Sequence, residues 1–180
     1  MWFAAAPRDT ITVCSDARGH PNPAGGPEMI HVKKILYPTD FSTYSNLAYF
    51  HAVGLAETYG ASLTVVYVYT PGSAETAGGD RKFWRSQLEQ VRPGNPGIPV
   101  HHVFLEGDPA GEIVRYAADA GIDVIVLGTH GRRGISRLLM GSVAELILRG
   151  AACPVITVKA PLKPAKAAAP EMAREVAAAH

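Results

Sequence analysis

Between residues 128 and 146 the chain reads GTHGRRGISRLLMGSVAEL, with Gly128 and Gly131 three apart, nine residues after Gly131, and then Gly141-Ser142 at the mouth of a helix-like segment. Glycine takes backbone angles closed to other residues, and without a Cβ its N–H can come close to an anion. A helix opening at Ser142 adds free N–H donors and the positive end of a dipole, and the Ser142 hydroxyl adds one more donor. The chemistry these groups suit is the holding of phosphate. Taken singly, each glycine could equally serve a turn or close helix–sheet packing. The full G-x2-G-x9-G-S spacing, set between a buried strand and a capped helix, is more specific than any lone pair.

Other polar candidates are weaker. Asp40 follows Pro38-Thr39 at the end of a strand-like segment, where it could cap the next helix, close the turn, or face a ligand at a switch point of the sheet. Arg132, Arg133 and Arg137 could pair with phosphate or simply be solvated. His101 and His102 are adjacent on an expected strand, point to opposite faces and cannot share one ion; we read them as structural or solvated. Tyr67 and Tyr69 read as core or rim aromatics. The sequence carries no dedicated metal cluster. No lysine follows the glycines in the G-x4-G-K-[ST] form of a P-loop, which disfavours vigorous phosphoryl transfer.

Alternating strand and helix patterns must position these residues. VKKILY at 32–37 is rich in β-formers and ends at Pro38, which marks a strand exit. Tyr44, Ala48, Ala52, Leu55 and Tyr59 trace one face of a helix over about 43–59, closed by Gly60. LTVVYVY at 63–69 suits a strand covered on both faces. After a loop at 71–79, Asp80 can cap a short helix bearing Trp84, Leu88 and Val91. Strand 100–105 follows, then Asp108-Pro109 opens a helix to about Ala120, and DVIVL at 123–127 is strand-like. Ser142-Val143-Ala144-Glu145 has the form of a capping box for a helix ending at Gly150, before a last strand at 154–159. This succession implies an α/β fold: a five-stranded parallel sheet, order 3-2-1-4-5, with helices on both faces and a ligand crevice where the winding reverses.

The 180 residues support one domain. Residues 1–28, with four prolines among small residues, read as a disordered extension, with Met29 a candidate start; residues 29–160 form the domain and 161–180 a flexible tail. A net charge of +1 gives no field for nucleic acid or an anionic membrane. There is no apolar run of the ~20 residues that cross a bilayer. Cys14 and Cys153 form no disulfide framework, and Cys153 reads as a buried small hydrophobe. A cytoplasmic location is expected.

KKILYPTDFS at 33–42, the glycine spacing, and CPVITVK at 153–159 together resemble the universal stress protein family, ATP-binding type, over about residues 30–160. The resemblance implies a Rossmann-like fold of the adenine nucleotide alpha hydrolase type. It implies that Gly128, Gly131, Gly141 and Ser142 hold the phosphates and ribose of ATP, with Thr129, His130, Arg132 and Val143 beside them. It places Pro38, Thr39 and Asp40 on the adenosine side and the backbone of Val68 at the adenine. Magnesium bridging the phosphates could use Asp40 indirectly. It further implies a homodimer through the last strand, whose Val155, Ile156 and Val158 are too apolar for an exposed edge. The expected function is that of a nucleotide-dependent stress-response binding protein with slow or no hydrolysis. The alternatives are a dimeric interaction module that binds no nucleotide, and a weak ATPase. Adenylate-transferring enzymes with His-x-Gly-His after the first strand are disfavoured, because that turn here reads TDFS.

Overall fold

The computed structural model describes residues 11–14, for which the backbone is given, and 31–73, 79–129 and 141–159. In chain order the elements are β1 (Ile11–Cys14), β2 (Lys34–Pro38), α1 (Thr43–Tyr59), β3 (Ser62–Tyr69), α2 (Arg81–Glu89), β4 (Val100–Glu106), α3 (Pro109–Asp119), β5 (Val124–Gly128), α4 (Ser142–Gly150) and β6 (Val155–Val158). They form one sheet of order β1-β6-β5-β2-β3-β4. From β6 to β4 all pairings are parallel. Numbered among themselves, these five parallel strands have the expected order 3-2-1-4-5.

Near-continuous apolar strands follow from burial on both faces, and the side chains divide with period two. Ile35, Tyr37, Val65, Tyr67, Val124 and Val126 pack under α1 and α2. Leu36, Val66, Ile125, Leu127 and Val155 pack under α3 and α4, where Cys153 is also buried.

The face of α1 differs from the expected one. Its buried residues are Ser45, Ala48, Ala52 and Ala56, whereas Tyr59 is exposed. Small residues at this spacing let the helix lie close on the sheet, and Gly60, at a φ of 62°, ends it by donating its N–H to the Ala56 carbonyl. The caps Asp80 and Asp108 are as expected: each side chain accepts a backbone N–H three residues on.

Residues 11–14 correct the expectation that 1–28 stays outside the fold. They form β1, which pairs antiparallel with β6, so the strand expected at the sheet's edge is an interior one. The prolines and glycines that argued for disorder flank a four-residue run, ITVC, whose first three residues are β-branched and which is too short to stand out of its surroundings. Residues 1–10 and 15–28, and the expected tail 161–180, lie outside the described residues.

Candidate functional site

The winding reverses between β2 and β5, and there the sheet opens. Direct pairing of these strands covers Ile35 with Val124 and Leu36 with Ile125, while β2 runs on to Pro38 and β5 to Gly128. Ligands of parallel α/β sheets bind at such a divergence. On one wall, Thr39 is buried and donates its N–H to the Val66 carbonyl at 2.9 Å, continuing the β2–β3 ladder for one residue. Main-chain groups alternate sides along a strand. Val68, two residues beyond Val66, therefore turns its main-chain groups to the same side, past the end of β2.

The β2–α1 turn is held by its own side chains. Asp40 accepts the Ser42 N–H at 3.0 Å, so it closes the turn; the cap of α1 is Ser42, whose hydroxyl accepts the Ser45 N–H. Thr39 Oγ1 accepts the Phe41 N–H at 3.0 Å and lies 3.3 Å from Ser45 Oγ. Phe41 has a φ of 60°, in the left-handed region that a bulky residue occupies at a cost of ~1–2 kcal/mol. Its ring stacks on Trp84 (centroids 5.7 Å apart, planes at 18°) and leans on Tyr67 at 5.1 Å. Trp84 is in turn fixed by its indole N–H on the Gly79 carbonyl. Nothing in the sequence signals this strained residue, because the geometry depends on aromatics brought from β3 and α2. Beneath the turn, the Tyr37 hydroxyl donates to the Ser45 carbonyl at 2.9 Å, and burial raises its pKa above 10.0 against the opposing effect of the Thr39 and Ser45 hydrogen bonds.

The opposite wall is the end of β5. Thr129 is buried; its N–H donates to the Val158 carbonyl at 3.0 Å and its carbonyl accepts the Gly141 N–H at 2.7 Å. That last bond joins the two ends of the glycine-rich loop and brings the N-terminus of α4 to the end of β5. Gly141 is the N-cap of α4, with no side-chain cap, and Ser142 is its first helical residue. The capping-box expectation is thereby corrected: the helix opens one residue earlier, and Glu145 pairs with Arg149 at 2.8 Å instead. Helix geometry leaves the N–H groups of Ser142 and Val143 without intrahelical acceptors. Both residues are exposed.

The two described glycines of the pattern do not use the conformational freedom expected of them. Gly141 has a φ of −62°, and neither it nor Gly128 is among the positive-φ glycines. A Cβ on Gly128 would lie 2.7 Å from the Tyr44 carbonyl oxygen and 3.2 Å from the Ser45 nitrogen. Gly128 therefore lets β5 approach the first turn of α1. His130, Gly131 and Arg132 lie outside the described residues.

The structure thus brings Pro38, Thr39, Asp40 and Val68 to one side of the divergence and Gly128, Thr129, Gly141, Ser142 and Val143 to the other. His102 stands apart, with Nε2 2.8 Å from the Val91 carbonyl, while His101 is exposed. Among the described residues no group of His, Cys, Asp or Glu could hold a metal ion by itself, and no helix is long and apolar enough to cross a membrane.

Residues 31–159 match the universal stress protein family. A universal stress protein of Methanocaldococcus jannaschii is 37% identical over 143 residues, covering 73% of this chain and 84% of that protein. A solved universal stress protein from Lactobacillus plantarum is 26% identical with a TM-score of 0.60, covering 71% of this chain and 98% of that one. Another, solved in complex with cAMP, shares the fold at 21% identity and a TM-score of 0.53, covering 71% and 97%. The match spans both walls of the divergence, and the chain belongs to the universal stress protein family.

Proposed function

We propose that this chain binds ATP at the divergence of β2 and β5 and acts as a nucleotide-dependent stress-response binding protein, with slow or no hydrolysis. The observation that carries this reading is the bond from the Gly141 N–H to the Thr129 carbonyl. It brings the N-terminus of α4, with its dipole and with donors that have no acceptor inside the helix, to the end of β5 where a nucleotide's phosphates would lie. Ser142 and Val143 would donate to phosphate from their N–H groups and Ser142 from its hydroxyl, with Thr129, His130, Gly131 and Arg132 contributing from the same loop. Pro38, Thr39 and Asp40 would line the adenosine, and the main chain of Val68 would meet the adenine. Magnesium would be held chiefly by the phosphates themselves, since Asp40 is the carboxylate of this turn and is committed in part to Ser42. The cAMP complex of a protein with this fold supports an adenine nucleotide as the ligand class. In the sequence the glycines are not followed by a P-loop lysine, which argues against rapid turnover.

Gly128 favours a second reading. Its lack of a side chain is explained by packing against Tyr44 and Ser45, as it would be in an interaction module that carries no nucleotide. Mass spectrometry of small molecules released from freshly purified protein separates the two. ATP or ADP in a substantial fraction of protomers supports the first; protein that is nucleotide-free and takes up none on incubation supports the second. As an assembly we propose a homodimer through the β6 strand, and a cytoplasmic location.

A further inference from the structure

β1 and β6 contain the same three residues: Ile11-Thr12-Val13 and Ile156-Thr157-Val158. Their register pairs Ile11 with Val158, Thr12 with Thr157 and Val13 with Ile156. If β6 of a second copy were laid antiparallel on this β6 about Thr157, Ile156 would face Val158, Thr157 would face Thr157, and Val158 would face Ile156. These are the same residue pairs in the same order. We propose that β1 is an internal stand-in for the β6 strand of a second copy, so that its docking blocks homodimer formation and its release permits it. This rests on the β6 homodimer proposed above.

Connectivity allows the docking within one chain. Cys14 lies opposite Val155 at the start of β6, the same end of the sheet at which Lys34 begins β2. From β1 to β2 the chain must cross three inter-strand steps, roughly 14 Å. About five extended residues suffice for that, fewer than residues 15–33 supply.

The helical layer indicates why a second copy would replace β1 once it is released. β1 adds a four-residue strand to the sheet. Next to it, among the described residues, a groove on the α1 face is lined by Phe50, His51, Gly54, Leu55, Thr58 and Ile156, and Phe50 is 70% exposed. A two-fold axis midway between the two paired Thr157 residues, perpendicular to the sheet, keeps both copies of α1 on one face beside that axis. The two grooves would then meet and cover one another, an isologous contact between two α1 helices and not between strands alone. Because both protomers must release β1, dimer affinity falls with the square of the undocked fraction.

The test is sedimentation velocity of the full chain and of a full-length Thr12→Pro/Val13→Pro variant, over a concentration series. Adjacent strand residues present their N–H groups to opposite sides, so one of the two prolines removes a ladder donor. Circular dichroism and the thermal midpoint check that the domain is intact. The variant is expected to dimerise about tenfold more tightly or better than the full chain. Equal dimerisation of both overturns the gate and leaves the dimer standing. Two monomers at every concentration overturn the dimer and the gate together. A dimeric full chain with a monomeric variant overturns the gate in favour of strand exchange. A second full-length variant needs no strand disruption. Val155→Cys sits opposite native Cys14, within the Cα spacing a disulfide spans. Oxidation is expected to give an intrachain link and a protein held monomeric until reduced; an oxidised, intrachain-linked protein that dimerises as readily as the reduced one also overturns the proposal.

Discussion

A Cβ on Gly128 would lie within 3 Å of the Tyr44 carbonyl, and the obstacle is backbone, which cannot step aside as a flexible side chain can. Gly128→Val is therefore expected to destabilise the fold by about 1–3 kcal/mol, measurable by chemical denaturation. Gly141 differs in its backbone and its place in the helix. Its backbone suits any residue and its position is an N-cap without a cap side chain. Gly141→Asp supplies a cap oxygen and should leave the thermal midpoint unchanged or slightly raised. It also sets a carboxylate where the phosphates are proposed to lie, so ATP affinity should drop about tenfold or more, in the range expected for a nearby like charge. Affinity unchanged in this variant would place the nucleotide elsewhere. Ser142 is not the cap, so Ser142→Ala should alter stability by less than about 0.5 kcal/mol. Any weakening of ATP binding there reports the hydroxyl itself.

At the scale of elements, α1 is held to the sheet by Ser45, Ala48, Ala52 and Ala56 and by the Tyr37 hydroxyl on the Ser45 carbonyl. Burial raises the Tyr37 pKa above 10.0, so the folded protein holds the phenol proton more tightly than the unfolded chain. The resulting stabilisation is fully present below pH 10 and is lost as the pH rises through the higher folded value. Tyr37→Phe should remove this contribution to the alkaline decline of the thermal midpoint, at a neutral-pH cost of about 1 kcal/mol for the lost hydrogen bond. The parallel strands and the caps Asp80 and Asp108 were legible in the sequence, because apolar β-branched runs and Asx caps act through local chemistry. The buried stripe of α1 was not, since large residues dominate a periodicity count while close packing here selects small ones. Phe41 was hidden for a related reason: its left-handed backbone depends on rings from β3 and α2. β1 escaped notice because its four residues carry meaning only beside β6.

For the whole molecule, one sheet sets the proposed nucleotide crevice and the proposed assembly strand side by side. β5 ends in the Gly128 turn and pairs with β6, and the Thr129 N–H bonds the Val158 carbonyl at the last residue of β6. The described glycines of the pattern lie at the divergence of β2 and β5, where Gly128 serves packing and Gly141 caps α4, because both tasks arise where a loop must return to the end of its own strand. The central claim is that this crevice binds ATP, and the most direct test is isothermal titration calorimetry of the nucleotide-stripped full chain with ATP and magnesium. Saturable binding of one ATP per protomer, weakened in Gly141→Asp at an unchanged thermal midpoint, is the expected result. No heat of binding at millimolar ATP, from a protein whose circular dichroism shows it folded, would contradict it.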